Sequence, residues 1–171
     1  MDRQPANLQQ VRFTRLVQAH QTRLLRLCCV LLRDEEDARD VVQETFIKAW
    51  QHMGELREQE REINWLTRIA VNGCRDVQRS RWRRHTNRRV TPDMLPIADP
   101  AASLQHTELL WALLQLPEKQ REVVMLYYYQ QMNMADIAEV LGMAQSSVSR
   151  QLEEARGRLR TELERRCPLH G

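Results

Sequence analysis

Pro92, Pro96 and Pro100 fall inside a stretch, Thr91 to Ser103, that has no apolar periodicity, while long segments on either side lack both Pro and Gly. Pro fixes φ and withholds an amide donor, so a chain punctuated in this way folds as two helical halves joined by a semi-extended connection. A length of 171 residues suits that division, because two small units then each sit near the lower limit for burying a core. β-branched residues never alternate over a length that would make a strand, so the expected fold is all-α. The first unit is expected over residues 1–90, the Pro-containing linker over 91–103 and the second unit over 104–171.

Apolar spacing of three and four places a first helix from about Leu8 to Leu32, with Phe13, Leu16, Val17, Leu24, Leu27, Cys28 and Leu31 on one stripe. Asp34 is a natural cap for a second helix whose first turn, Glu35, Glu36 and Asp37, is acidic where the helix dipole favours acid. That helix is expected to reach Met53 and stop at Gly54, burying Val42, Phe46, Ala49 and Met53. A third helix, about Ile63 to His85, is expected to bury Leu66, Ile69, Ala70, Gly73 and Val77.

Charge is distributed unevenly along these helices. Asp34 to Lys48 holds six acids against two bases, whereas Arg75 to Val90 holds seven Arg against one Asp and no Lys. On the second helix Asp37, Asp40 and Glu44 stand clear of the apolar face, with Gln43 and Lys48 beside them. An acidic stripe is usually no more than a solvated surface, but here the aromatic pair Phe46 and Trp50 completes a specific string. On the third helix Arg68, Asn72, Arg75, Arg79 and Arg83 recur at helical spacing. Arginines stacked along one face repel each other, and a bound polyanion is the cheaper explanation for keeping them there.

Beyond the linker, a helix is expected from Ser103 to Gln115 and another from Pro117, which suits a first helical position. The run from Asn133 to Leu152 has the chemistry of a helix-turn-helix: Asn133 caps, Ala138 permits a close crossing, and Gly142 takes the left-handed turn. Ile137, Leu141, Val148 and Leu152 form its shared core, and Ala155, Leu159 and Leu163 continue the buried side of the second helix. Gln145, Ser146, Ser147, Ser149, Arg150, Glu153 and Glu154 are left to face a DNA groove.

The four Cys form no C-x-x-C pair, no Gly-rich phosphate loop exists and the five His are scattered, so neither a cofactor, a metal site nor catalysis is expected. Apolar runs such as Leu27 to Leu32 are far too short for a membrane span, and the N-terminus has no export-signal pattern.

Both halves resemble a group IV, or extracytoplasmic-function (ECF), member of the sigma-70 family. The resemblance covers about Val11 to Leu163 and rests on Asp37-Ala-Arg-Asp-Val-Val-Gln-Glu-Thr-Phe46, Trp65-Leu-Thr-Arg-Ile-Ala-x-Asn72 and Arg75-Asp-Val-x-Arg79 in the first unit. In the second it rests on Leu116-Pro-x-x-x-Arg-Glu-Val123, Ile137-Ala-x-x-Leu-Gly142 and Ala155-Arg-x-x-Leu159. It implies sigma region 2 followed by sigma region 4, in a dissociable, non-enzymatic initiation subunit that binds core RNA polymerase, selects promoters and helps open them. Asp37, Asp40, Gln43, Glu44 and Lys48 would then form the polymerase contact. Arg68, Asn72, Arg75, Arg79 and Arg83 would serve the minus-ten element, helped by the loop from Gly54 to Glu62. The helix from Gln145 would serve the minus-thirty-five element. An anti-sigma factor is the expected regulator, and the expected location is the bacterial cytoplasm, at the nucleoid when active and near the membrane when an anti-sigma factor holds it there. Three positions depart from the family pattern: Ile63 where an aromatic is frequent, Gln131 at a turn where relatives commonly have Gly, and Glu153 and Glu154 where bases are frequent. The rival reading is a conventional dimeric helix-turn-helix regulator, which would not need the acidic face.

Overall fold

The computed structural model describes residues 4–56, 61–84 and 104–166. The expected linker, the last expected residue of the third helix, His85, and part of the Gly54 to Glu62 loop lie outside the described residues. Among those described, all regular structure is helical: α1 (Gln4–Leu32), α2 (Glu35–Gln51), α3 (Glu62–Arg84), α4 (Leu104–Gln115), α5 (Glu118–Val124), α6 (Met134–Leu141) and α7 (Gln145–Arg166). Helices α1, α2 and α3 pack pairwise into one bundle, and α4, α5 and α6 gather around α7.

The local signals act largely as expected. Arg33, at φ 53°, ends α1 in the left-handed region, and its amide returns to the Cys29 carbonyl at 2.8 Å. Asp34 then caps α2 by accepting from the Asp37 amide at 2.9 Å. The C-terminal carbonyls of α1 are satisfied from neighbouring helices: Gln78 donates to Leu31 O at 3.2 Å and Arg81 to Leu32 O at 2.6 Å. Helix α2 stops earlier than expected. The His52 amide closes on Lys48 O, a short 3-10 turn follows over Met53–Glu55, and Gly54 supplies no left-handed stop.

Leu16, Leu24, Leu27, Leu31, Val42, Phe46, Ala49, Met53, Leu66 and Ala70 are buried as expected. Ile69 and Val77 are only half-buried, because α3 turns Thr67, Val71 and Cys74 inward instead. Gly73 sits where α2 crosses, so a Cβ there would meet Val41 Cγ1 at 3.0 Å. Cys28, Cys29 and Cys74 are buried free thiols. Burial pushes the Cys29 thiol up to about 12, and the hydrogen bond with Cys28, then burial, holds Cys74 well above its ordinary value, so neither is a nucleophile.

In the second unit Pro117 caps α5 rather than opening it: its φ of −52° and ψ of 147° are extended, and its carbonyl takes the Arg121 amide at 2.9 Å. Helix α5 runs on into a π-helical turn over Met125–Tyr129, closed by the Gln130 amide on Met125 O at 3.0 Å. Gln131 then takes φ 55°, the left-handed conformation that explains why Gly suits this turn. Asn133 caps α6 by accepting from the Asp136 amide at 2.8 Å, and Gly142, at φ 62°, makes the turn into α7. Ile137, Leu141, Val148, Leu152 and Ala155 are buried together, with Leu159 and Leu163 half-buried beyond them.

Candidate interaction sites

On α2 the expected acidic face divides. Asp40, Gln43, Glu44 and Lys48 are exposed, with Glu44 and Lys48 paired along the helix at 3.8 Å. Asp37 leaves this group: it is half-buried and ion-paired to Arg81 of α3, which also approaches Asp34 at 3.9 Å. Beside the exposed residues lies a groove of about 550 Å³ between α1 and α2, whose apolar lining includes Phe13, Val17, Val42, Phe46 and Trp50. Phe13 meets Trp50 edge-on at 5.1 Å and Phe46 at 6.3 Å, while Trp50 and Ile47 remain 40% and 45% exposed. A partner here would meet acid and apolar surface together, the combination that suits an amphipathic basic helix.

The arginine stripe on α3 is also divided. Asn72, Arg79 and Arg83 are exposed, and among the described residues Arg79 makes only a surface pair with Asp76 at 3.5 Å. Arg75 instead points into the second unit. Its Nε and Nη2 donate to Glu122 Oε1 and Oε2 at 3.2 and 3.1 Å, and its Nη1 donates to Leu141 O at 3.0 Å. Arg68 pairs with Glu139 of α6 and holds that carboxyl below its ordinary value. One face on a helical wheel thus serves two surroundings.

The remaining contacts between the units use residues that sequence reasoning did not single out for this purpose. Asn64 donates to Asp136 at 3.2 Å, Gln130 to Thr67 Oγ1 at 3.0 Å, and Arg23 to the Gln130 side chain at 2.5 Å and the Tyr129 carbonyl at 2.7 Å. The π-helical turn brings Gln130 inward, where it is 4% exposed. Arg121 is likewise buried, donating to Leu116 O at 2.9 Å and Leu31 O at 3.3 Å, and burial lowers its guanidinium to about 10. The Arg-Glu pair of the Leu116 to Val123 string was the available signal: two adjacent charges inside an apolar helix require partners.

On α7, Gln145, Ser146, Ser149 and Arg150 are exposed and Ser147 is half-buried. Glu153 is held by Arg156, which donates to Tyr128 Oη at 2.7 Å, and Glu154 accepts from Gln120 at 3.1 Å. Both Glu therefore have partners within the second unit. Among the described residues no set of three or more His, Cys, Asp or Glu is placed to hold a metal, and no helix is long and apolar enough to cross a membrane.

Comparison with known proteins bears on both units. The Sigma-70 region 2 family matches residues 16–84 and the Sigma-70, region 4 family matches residues 106–159. The ECF RNA polymerase sigma factor SigM of Mycobacterium tuberculosis is 34% identical over 150 residues, covering 86% of this chain and 74% of SigM. SigL of the same species is 33% identical over 154 residues, covering 87% of each chain. The probable RNA polymerase sigma factor RfaY of Xanthomonas campestris pv. campestris is 29% identical over 164 residues, and the match spans 88% of this chain but 40% of that longer protein. The fold resembles that of Bartonella quintana sigma factor RpoE in complex with the anti-sigma factor NepR, at a TM-score of 0.78, 23% identity and coverage of 89% of this chain and 96% of that one. It also resembles CnrH in complex with the cytosolic domain of CnrY, at 0.63, 28% identity and coverage of 91% and 89%. Two sigma-70 regions in order, on an all-α fold shared with sigma factors, mean that this chain belongs to the sigma-70 family, in its extracytoplasmic-function group.

Proposed function

We propose that this chain is a promoter-specificity subunit that docks on core RNA polymerase through α2, serves the minus-ten element with α3 and the minus-thirty-five element with the start of α7. The observation that carries the reading is the joint presence of an exposed Asp40–Gln43–Glu44 face beside an apolar groove and a helix-turn-helix built on Gly142. The first suits a basic protein partner and the second presents Gln145, Ser146, Ser149 and Arg150 to a DNA groove. Asn72, Arg79 and Arg83 meet phosphate from the outset, and Arg68 and Arg75 join them once the second unit moves away. Unstacking a base costs a few kcal/mol, which contacts to the single strand and its phosphates can return.

The units divide on this reading into region 2 over residues 1–90, a linker over 91–103 and region 4 over 104–171. The protein carries no catalytic activity of its own and works in the cytoplasm. A sigma factor of similar fold was solved in complex with the anti-sigma factor NepR, and a partner of that kind is the proposed regulator here.

In vitro transcription of a genomic fragment library, with core polymerase and with or without this protein, tests the proposal. New starts sharing two spaced upstream elements are expected. Absence of such starts, together with failure to co-elute with core enzyme, would overturn it.

A further inference from the structure

We infer that Glu153 is the base-selecting acid of the minus-thirty-five site, that it takes a cytosine amino group in the major groove, and that Arg156 and Tyr128 are the positioning residues that hold it there. The inference rests on the proposed DNA role of α7. Glu153 lies four residues from Ser149 and seven from Ser146, so the helical period puts it on their stripe, about 12 Å along the axis from Gln145. Its side chain is 68% exposed. Phosphate repels a carboxylate on such a stripe, and the repulsion is offset where a base edge offers the acid a donor. The major groove presents amino donors at adenine N6 and cytosine N4, but adenine sets an acceptor, N7, beside its donor, where it repels the second carboxylate oxygen. Cytosine is therefore the base that suits this acid.

What fixes the acid comes from outside the recognition stripe. Arg156 Nη1 donates to Glu153 Oε1, and Arg156 Nε donates to Tyr128 Oη at 2.7 Å. The same guanidinium lies 5.7 Å from the centroid of the Tyr128 ring and 5.8 Å from that of Tyr127, and the two rings meet edge-on at 4.9 Å. Both tyrosines belong to the π-helical turn. An exposed ion pair along a helix is loosely held by itself, whereas this one is braced by a hydroxyl and two aromatic rings from another element. Glu154, about 100° further round α7, accepts from Gln120, which is 4% exposed, at 3.1 Å. The two adjacent acids thus do different work: Glu154 ties α7 to α5, and Glu153 offers Oε2 to DNA. The arginine of the Ala155-Arg-x-x-Leu159 string gains a role from this arrangement, that of aiming the acid three residues before it.

The test is selection of promoter duplexes randomised across the upstream element, by core polymerase carrying the full chain or its variants, followed by sequencing of the bound fraction. The parent is expected to prefer a C·G pair at one upstream position about tenfold over the alternatives, and Glu153→Ala to cut that preference to about twofold. Tyr128→Phe removes one hydroxyl from a side chain that is 51% exposed and leaves both rings in place. It is expected to weaken the preference at the same position, with the other positions, the salt slope and the melting temperature unchanged. Arg156→Lys, which keeps the charge and loses the second donor, should do the same. Combining Tyr128→Phe with Glu153→Ala should cost no more than Glu153→Ala alone, because the two act as one unit. A preference left intact by Glu153→Ala overturns the inference, and one lost at a pair other than C·G overturns cytosine as the target. Uniform loss over all positions, or an intact preference in Tyr128→Phe and Arg156→Lys, overturns the positioning roles. A parent with no preference at any upstream position overturns the proposed minus-thirty-five role itself, and this inference with it.

Discussion

Arg75 of α3 and Glu122 of α5, 47 residues apart in sequence, form a two-pronged ion pair at 3.1 and 3.2 Å, with the carboxylate almost wholly removed from water. A buried pair of this kind is a weak source of net stability, because desolvating both charges offsets most of their attraction. Removing one partner is a different matter, since it strands the other charge.

Arg75→Ala is therefore expected to lower stability by about 3 kcal/mol, and Glu122→Gln to recover part of that loss when added to it. Chemical denaturation of the two single variants and the double variant should give a coupling energy of about 1–3 kcal/mol. Additive losses would show that the pair is not formed in solution.

Asp40 is exposed on α2 and lies outside both the core and the Arg81 network that holds Asp37. Asp40→Arg is expected to leave helicity and melting temperature unchanged while abolishing co-elution with core polymerase. Retained co-elution would remove α2 from the docking surface.

Among the described residues, Arg79 makes no more than an exposed pair along its own helix. In the holoenzyme, Arg79→Ala is expected to weaken promoter binding and to reduce the slope of log affinity against log salt by about 1. A slope equal to that of the parent would place Arg79 away from phosphate.

Gln131 holds φ 55° with an exposed side chain. The left-handed region costs an ordinary residue about 1–2 kcal/mol, while Gly at the same place gives up about 0.5–1 kcal/mol through its freer unfolded chain. Gln131→Gly should therefore raise stability by about 0.5 kcal/mol, seen as a melting temperature higher by about 1–2 °C.

His20 faces Glu62 at 3.8 Å and also senses Arg23, and burial outweighs the carboxylate and holds the imidazole below its ordinary 6.5. The unfolded chain then binds a proton more readily than the folded one, so stability is intact above pH 6.5 and falls as pH drops below it. His20→Gln should flatten this part of the stability profile. An identical acid slope in the variant would assign the loss to other groups.

Much of the fold was legible because its determinants are local. Apolar spacing places α1, α2 and α3, Asp34 and Asn133 cap by hydrogen bonds spanning three residues, and Gly142 turns because only its own φ is at issue. Helix ends shifted where a competing local bond won, as at His52, and the π-helical turn was not anticipated because its closure depends on packing rather than on any residue type. The family motifs pointed to the sigma-70 family, and the matches over residues 16–84 and 106–159 bear that out.

The interaction surfaces were legible only in part. A helical wheel puts Arg68, Arg75, Arg79 and Arg83 on one face and Asp37, Asp40 and Glu44 on another, and the sequence by itself determined those faces through the 3.6-residue period. Tertiary structure decided which members stay in solvent: Arg81 removes Asp37 from the acidic face, Glu122 removes Arg75 from the basic one, and Arg68 keeps much of its exposure while pairing with Glu139 of α6. Periodicity is a property of neighbouring residues, whereas the partner of a charge is set by whichever distant helix is packed against it.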